Sequence, residues 1–403
     1  MNASTKPQEK LWNYQFIYFL FLKVFSISSI TISNSILPLY IVDYYHGSSS
    51  QVGVISSLVI LTALVFRPFT GYLVDRWGRK KALMISFFLM SLLHFSVLIP
   101  MRIEGLGIIR FLLGFPYSLF TTATSTVSAD ILPEEHRSYG FGVISIITML
   151  SGVVLAPNLG FILLGNGNFN LIFIISGISA LLTILLVLRM PYEDIQNPEA
   201  KFSFNTTFEP NASFIAIILG LILLGMPGLL TFGPLYSKEL GITSVGLFLL
   251  FYGGGLLVAQ WLNKYLIDLN NPRRGGILSI GLLLTGYSAI GIFNSKFGFF
   301  VGSGLVGIGY GLVFAIFAPM ALRLVKPSKR GACNATIIFG QDIGSFLGLY
   351  LFSWFIQNFG GYQRSYLMNG LIMAIPLGIF IFFCLPHYSR VLKEEPQLEK
   401  QIE

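Results

Sequence analysis

The chain has 403 residues, of which 54% are hydrophobic, 37 are phenylalanine and only 11% are charged. A soluble domain needs more polar surface than that, and runs of about 20 apolar residues, enough to cross a hydrocarbon core of about 30 Å, recur along the whole length. The net charge of +8 does not point to nucleic acid, because the basic residues are sorted by loop rather than gathered into one patch.

Twelve spans are predicted, near 14–38, 52–74, 82–100, 105–128, 138–163, 170–189, 213–235, 243–266, 276–293, 298–322, 332–356 and 366–386. The first keeps polar Asn34, and no small-residue cleavage site follows its basic start, so it reads as a retained helix and not as a removable signal peptide. Between the second and third spans lies "GYLVDRWGRKK", residues 71–81, which packs Asp75, Arg76, Arg79, Lys80 and Lys81 into one turn. Between the sixth and seventh, residues 191–212 carry Pro191, Pro198 and Pro210 with Glu193, Asp194 and Glu199, the composition of a polar linker. Nineteen of the 26 Lys and Arg residues fall in the tails, in loops after even-numbered spans or, for Arg189 and Lys264, at the span ends that border those loops; four fall in the opposite loops, and Lys23, Arg67 and Arg110 fall deeper within spans. Basic residues accumulate on the cytoplasmic side, so both ends are expected there. Neither tail is long enough for a soluble output domain, which argues against a sensor.

Laying the chain on itself with a shift of 193 residues places Tyr72–Asp75 over Tyr265–Asp268, Lys80 and Lys81 over Arg273 and Arg274, and Arg137 over Arg330. The expected architecture is therefore an all-α integral membrane protein of two pseudo-symmetric six-helix halves, 1–190 and 213–403, joined by a cytoplasmic linker at 191–212. Cys333 and Cys384 read as small apolar packing residues. His46, His94, His136 and His387 are scattered, so no metal-ligand spacing appears, and no GxxxxGK[ST] stretch or HExxH points to ATP use or to an intramembrane enzyme. No cofactor is implied.

Residues 71–81 present Gly71, three residues, Asp75, a basic residue at 76, any residue, Gly78 and a basic residue at 79, which resembles the signature loop of the major facilitator superfamily. "IIRFLLGFPYSL", with Arg110 and Gly114, is similar to a second motif of that family at the start of span four, and "ADILPEEHR" to the loop after it. "SGVVLAPNLGF" resembles the antiporter motif of span five, with Ala156 where that motif has glycine before Pro157. The second-half copy of the loop is degraded, with Lys264 in place of Gly71 and Asn271 in place of Gly78.

The resemblance implies a twelve-helix transporter working by alternating access, with spans one, four, seven and ten lining the cavity and spans two, five, eight and eleven between the halves. It implies that Asp75 faces the start of span eleven near Gly331 and that Arg79 pairs with Asp130. Gly71, Asp75, Arg76, Gly78, Arg79 and Asp130 would form a cytoplasmic latch, a carboxylate at a helix N-terminus being stabilised by about 0.3–1 kcal/mol when exposed. For Arg76, Lys80 and Lys81 a simple topology signal is the alternative.

Charges inside a span are costly and mark pathways or pairs. Lys23, His94 and Asp342 fall near mid-depth, Arg110 toward the outer face and Arg67 toward the inner. Each also has a structural reading: Lys23 neutralised by Asp342, Arg67 reaching to the interface, and His94 bonded to a neighbouring helix. Lys23 and Arg110 would make the cavity positive and favour an anionic or zwitterionic substrate, with Asn34, Tyr117, Phe232, Tyr236 and Tyr310 as further contacts. Asp342 is the expected proton carrier, because a buried carboxyl can rise toward neutral pH, and His94 is its rival. Gly304, Gly307 and Gly311 read as close packing or as a bending point.

Within the family the chain resembles the drug and metabolite efflux branch, which implies a proton-coupled exporter in a bacterial-type plasma membrane. A monomer is expected, with protons, the bilayer and a small solute as its partners. An opine-type metallophore, as in the staphylopine-type exporters of that branch, is the expected solute. A multidrug pump for hydrophobic compounds and an importer of small organic anions remain the alternatives.

Overall fold

The computed structural model describes residues 11–133, 136–165, 167–197, 208–266, 271–325 and 329–390, and these are helical with no strand among them. In lipid every backbone N–H and C=O must be satisfied within the segment, and the helix does this. Among the described residues, ten helices are long and apolar enough to cross a membrane. Two further long helices, α3 (Arg79–Ser96) and α11 (Leu247–Leu266), carry basic or polar residues near one end, and with them the set is consistent with twelve spans.

The chain divides into two compact units, Met1–Ile36 with Val65–Phe202, and Leu37–Leu64 with Ser203–Glu403. Leu37–Leu64, the end of the first helix and the start of the second, group with the later residues.

The first unit holds most of α1 (Tyr14–Leu39), the end of α2 (Ser49–Trp77), α3, α4 (Ile103–Ile131), α5 (Arg137–Met149), α6 (Ala156–Leu164) and α7 (Phe169–Leu188). Helix α3 packs between α4 and α7. A π-helical turn at Leu150–Leu155 joins α5 to α6, directly before Pro157, whose missing N–H prevents regular helix bonding there. Ile32, Ile36, Ala156 and Ile172 form a buried cluster, while Phe88, Leu92, Ile162 and Leu185 stay exposed. Exposed apolar surface of that extent suits lipid.

In the second unit α11 and α12 (Arg273–Phe293) pack on α13 (Lys296–Arg323), and α14 (Arg330–Asn358) packs on α8 (Pro210–Leu223). Helix α13 runs unbroken through Gly304, Gly307 and Gly311, and a Cβ on Gly307 or Gly311 would strike α11. These glycines therefore serve close packing, not bending. The seventh span, expected as one helix, is broken into α8, α9 (Met226–Leu230) and α10 (Gly233–Glu239). Pro227 and Pro234 lack the N–H that would bond the preceding turn, and Gly225, Gly228 and Gly233 add freedom around them. The span that starts at Tyr362 likewise passes from α15 (Tyr362–Ile372) through α16 (Ala374–Ile379) to a π-helical turn at Phe380–Cys384.

The freed carbonyls of the broken span are taken up by side chains from other helices. Tyr310 donates to Ile222 O at 3.2 Å, Tyr287 and Asn369 donate to Gly225 O at 2.9 and 3.0 Å, and Tyr366 donates to Gly228 O at 2.9 Å.

Candidate functional site

The first constellation is the signature loop. Helix α2 ends at Trp77 and α3 begins at Arg79, so Gly78 alone makes the connection, at φ 92° and ψ 154°. That region of backbone space is essentially restricted to glycine. Arg79, 9% exposed, holds three partners: Asp130 Oδ2 at 3.2 Å, Asp75 Oδ1 at 3.5 Å, and the carbonyl of Ile195 at 2.8 Å. Tyr192 donates its hydroxyl to the same Asp130 oxygen at 2.6 Å. Burial, then the bond to Asp130, pushes the Tyr192 phenol well above its ordinary pKa. Arg76 bonds the hydroxyl of Tyr72 and lies over its ring. Gly71 faces open space. The repeat copy of this loop includes Asp268, which lies outside the described residues.

A second constellation runs along the seam of α1 and α4. Lys23 donates to Thr124 Oγ1 at 3.2 Å and lies 5.6 Å from the centre of the Phe120 ring. Arg110 donates to Asn34 Oδ1 at 2.6 Å. Both basic side chains are buried, at 9% and 6% exposure. The two rungs are separated by eleven residues on α1 and fourteen on α4, which at 1.5 Å per residue is about 16–21 Å. Lys23 and Arg110 are thus two stations on one seam and do not form a single charged cluster. His94, from α3, contacts Ser33 Oγ at 2.9 Å and Met90 O at 2.6 Å, so both ring nitrogens are engaged. Tyr117 is partly buried and packs near Phe120.

In the second unit Phe232, Tyr236 and Tyr310 have no exposed surface. Tyr310 is committed to Ile222 O, Tyr236 donates to Asn294 Oδ1 at 3.1 Å, and Phe232 packs on Phe352. Here they build the buried walls of the unit. Asp342 is partly buried in the middle third of α14. Between α8 and α14 lies an apolar groove of about 390 Å³ lined by Ala216, Gly220, Leu224, Phe339, Ile343 and Leu347 among others.

Several features were invisible to sequence reading. Lys238 on α10 bonds Asp43 at 2.7 Å, Ser49 and Tyr362 hydroxyls approach to 3.5 Å, and Gly53 packs on Ser353, all within the second unit. Tyr192 and Asp194 of the linker dock on the signature loop. Each is a pairing of residues far apart in sequence, and only the surplus of acids in the linker hinted at any of them.

Helices throughout the described residues, ten of them able to cross a membrane, with the signature loop closed on Asp130 and basic residues buried along α1 and α4, define a membrane transport protein. The chain belongs to the Major Facilitator Superfamily, whose profile matches residues 19–275 and 243–403. It is similar to the staphylopine export protein of Staphylococcus aureus (strain Mu50 / ATCC 700699), at 26% identity over 386 residues, covering 90% of this chain and 94% of the relative. It is also similar to multidrug resistance protein 1 of Bacillus subtilis (strain 168), at 28% identity over 229 residues, 54% of this chain and 58% of that one. Among solved structures, the nucleoside transporter NupG shares the fold with a TM-score of 0.71 at 14% identity, covering 92% of this chain and 98% of the other. The chain is a multi-pass membrane transporter of this superfamily and not an enzyme.

Proposed function

We propose that this protein exports a small anionic or zwitterionic organic solute by alternating access, coupled to protons, with both termini cytoplasmic. The observation that carries the sign of the solute is Arg110. Its side chain is buried, one nitrogen is committed to Asn34, and among the described residues its Nε has no hydrogen-bond partner. A buried donor left unpaired costs about 1–3 kcal/mol. A carboxylate arriving along the α1–α4 seam would satisfy it with a charge-assisted bond. Lys23, with a neutral hydroxyl and a ring as neighbours, offers a second cation at the other station. Two cations about 16–21 Å apart suit an elongated solute with several carboxylates, or one that is handed from station to station. An opine-type metallophore meets that description, and the similarity to the staphylopine export protein supports it.

Asp342 is the proposed proton carrier, because it is the acid set deepest within a long helix, with His94 as the alternative. The charges of the signature loop act as the cytoplasmic latch. A second reading, efflux of hydrophobic compounds, is favoured by the apolar groove between α8 and α14.

Purified protein in proteoliposomes tests the proposal. Opine-type polycarboxylates should bind and their methyl esters should not, Arg110→Ala should weaken binding about tenfold or more, and Asp342→Asn should keep exchange while losing accumulation driven by a pH gradient. Tight binding of a lipophilic monocation, unchanged in Lys23→Ala and Arg110→Ala, would overturn the anionic reading in favour of the hydrophobic one.

A further inference from the structure

Helix α3 starts in an electrostatically unfavourable way. The first N–H groups of a helix have no partner within it, and the partial positive charge there favours an acid. Yet the first turn of α3 is Arg79, Lys80 and Lys81, and the residue at the cap position is Gly78, which has no side chain to bond back. The cap comes from more than a hundred residues away: Asp194 Oδ1 accepts the backbone N–H of Lys80 at 3.0 Å.

Asp194 does not act alone. The carbonyl of Met190 accepts from Lys80 Nζ at 2.9 Å, the carbonyl of Ile195 accepts from Arg79, Tyr192 donates to Asp130, and the N–H of Asn197 donates to the carbonyl of Asp75 at 2.8 Å. The opening of the linker therefore touches both ends of the one-residue connection and both members of the Arg79–Asp130 pair. It lies so close that a Cβ on Gly78 would collide with the Asp194 carboxylate and with Gln196. Glycine at 78 thus answers two demands at once, a positive φ and room for this strap.

We infer that residues 190–197 form a strap that docks on the signature loop, with Asp194 as the remote cap of α3 and the positioning residue that holds Arg79 on Asp130. The inference rests on reading the loop as the latch of the transport cycle. With the strap in place, Arg79 and Lys80 of the first turn face carbonyls and carboxylates on the same unit. With it released, Lys80 loses two partners and Arg79 loses one, and the loop's positive charge is free to move. The strap is the first stretch of the segment that joins the two repeats, so the loop and the linker are mechanically one device.

Hydrogen exchange on the full-length protein, read in peptides covering residues 76–84, is paired with transport in proteoliposomes. Asp194→Ala should raise exchange in that peptide about fivefold or more, as the loss of a helix cap does, and slow transport. Asp194→Asn, which keeps the accepting oxygen, should restore most of the protection and the activity; a purely structural acid elsewhere would show no such rescue. If Asp194→Ala fails to insert, Asn197→Pro removes the N–H donated to Asp75 without altering any charge and should give the same pair of changes. Unchanged exchange in either variant would show that the strap is not docked, and faster exchange with unchanged transport would show that it does not position the latch. Arg79→Gln separates the two levels. Slowed transport in Arg79→Gln with none in Asp194→Ala refutes the strap alone, whereas full activity in Arg79→Gln refutes the latch reading beneath it.

Discussion

Helix α1 and its counterpart in the repeat, the broken span α8–α10, bury polar groups in opposite ways. In α1 the hydroxyls of Ser26, Ser28, Ser29, Thr31, Ser33 and Ser35 bond carbonyls three or four residues back, so the helix satisfies its own polarity and remains continuous. In α8–α10 prolines and glycines interrupt the ladder, and the freed carbonyls are served by tyrosines and an asparagine from α12, α13 and α15. The first arrangement leaves Lys23 and Asn34 available to α4. The second ties three helices to one segment and leaves no hydroxyl of Tyr287, Tyr310 or Tyr366 uncommitted. Two apolar stretches of one chain thus handle buried polarity differently, α1 by bonding within itself and α8–α10 by bracing from other helices.

The comparison breaks most severely where the first unit's charges are reversed. Arg79→Asp places a second acid beside Asp130 and should cut transport about tenfold to a hundredfold, equivalent to about 1.4–2.7 kcal/mol on the barrier. The double variant Arg79→Asp with Asp130→Arg should recover part of that rate in the same uptake assay; no recovery would mean that the pairing does not matter.

Bracing in the second unit should show in stability. Tyr310→Phe leaves Ile222 O with only the long bond from Gly225 N at 3.4 Å and should cost about 0.5–1.5 kcal/mol, seen as a lower thermal midpoint in detergent. Tyr287→Phe should cost less, because Gly225 O keeps Asn369. Equal losses would show that the carbonyls are not what the tyrosines stabilise. The smallest effect is expected at Asp43. Its partner Lys238 is 58% exposed, and such pairs contribute about 0–1 kcal/mol, so Asp43→Asn should shift the midpoint slightly and only at low salt.

Helix content, the number of long apolar runs and the signature loop were legible because each is a local pattern. The bond between Arg79 and Asp130 became readable only through the family motif. Burial of Phe232, Tyr236 and Tyr310 was not legible, since a lipid-facing position and a core position are both apolar and periodicity cannot separate them. The breaks in the seventh span were written in Pro227 and Pro234, but apolar residues on both sides concealed them within one hydrophobic run. Asp194 looked like one linker acid among several, because nothing in the sequence says that Gly78 cannot cap its own helix until the connection is known to be one residue long. The grouping of Leu37–Leu64 with the second unit also depends on contacts such as Asp43–Lys238, which no local signal encodes.

The broken span has a consequence for the order in which the chain can be assembled. Helix α8, fourteen residues or about 21 Å long, is too short to cross a hydrocarbon core of about 30 Å without α9 and α10 beyond it. The donors that hold the breaks, Tyr287, Tyr310, Tyr366 and Asn369, are all synthesised later, and two of them belong to the final span. While the ribosome is still translating, the side-chain donors to the carbonyls of Ile222, Gly225 and Gly228 are not yet made, and Ile222 O and Gly225 O have only the backbone bonds from Gly225 N and Gly228 N. The seventh span is therefore inserted early and settled last, and a chain truncated before Tyr366 would keep the hydrophobicity to enter the bilayer while lacking the groups that fix its shape.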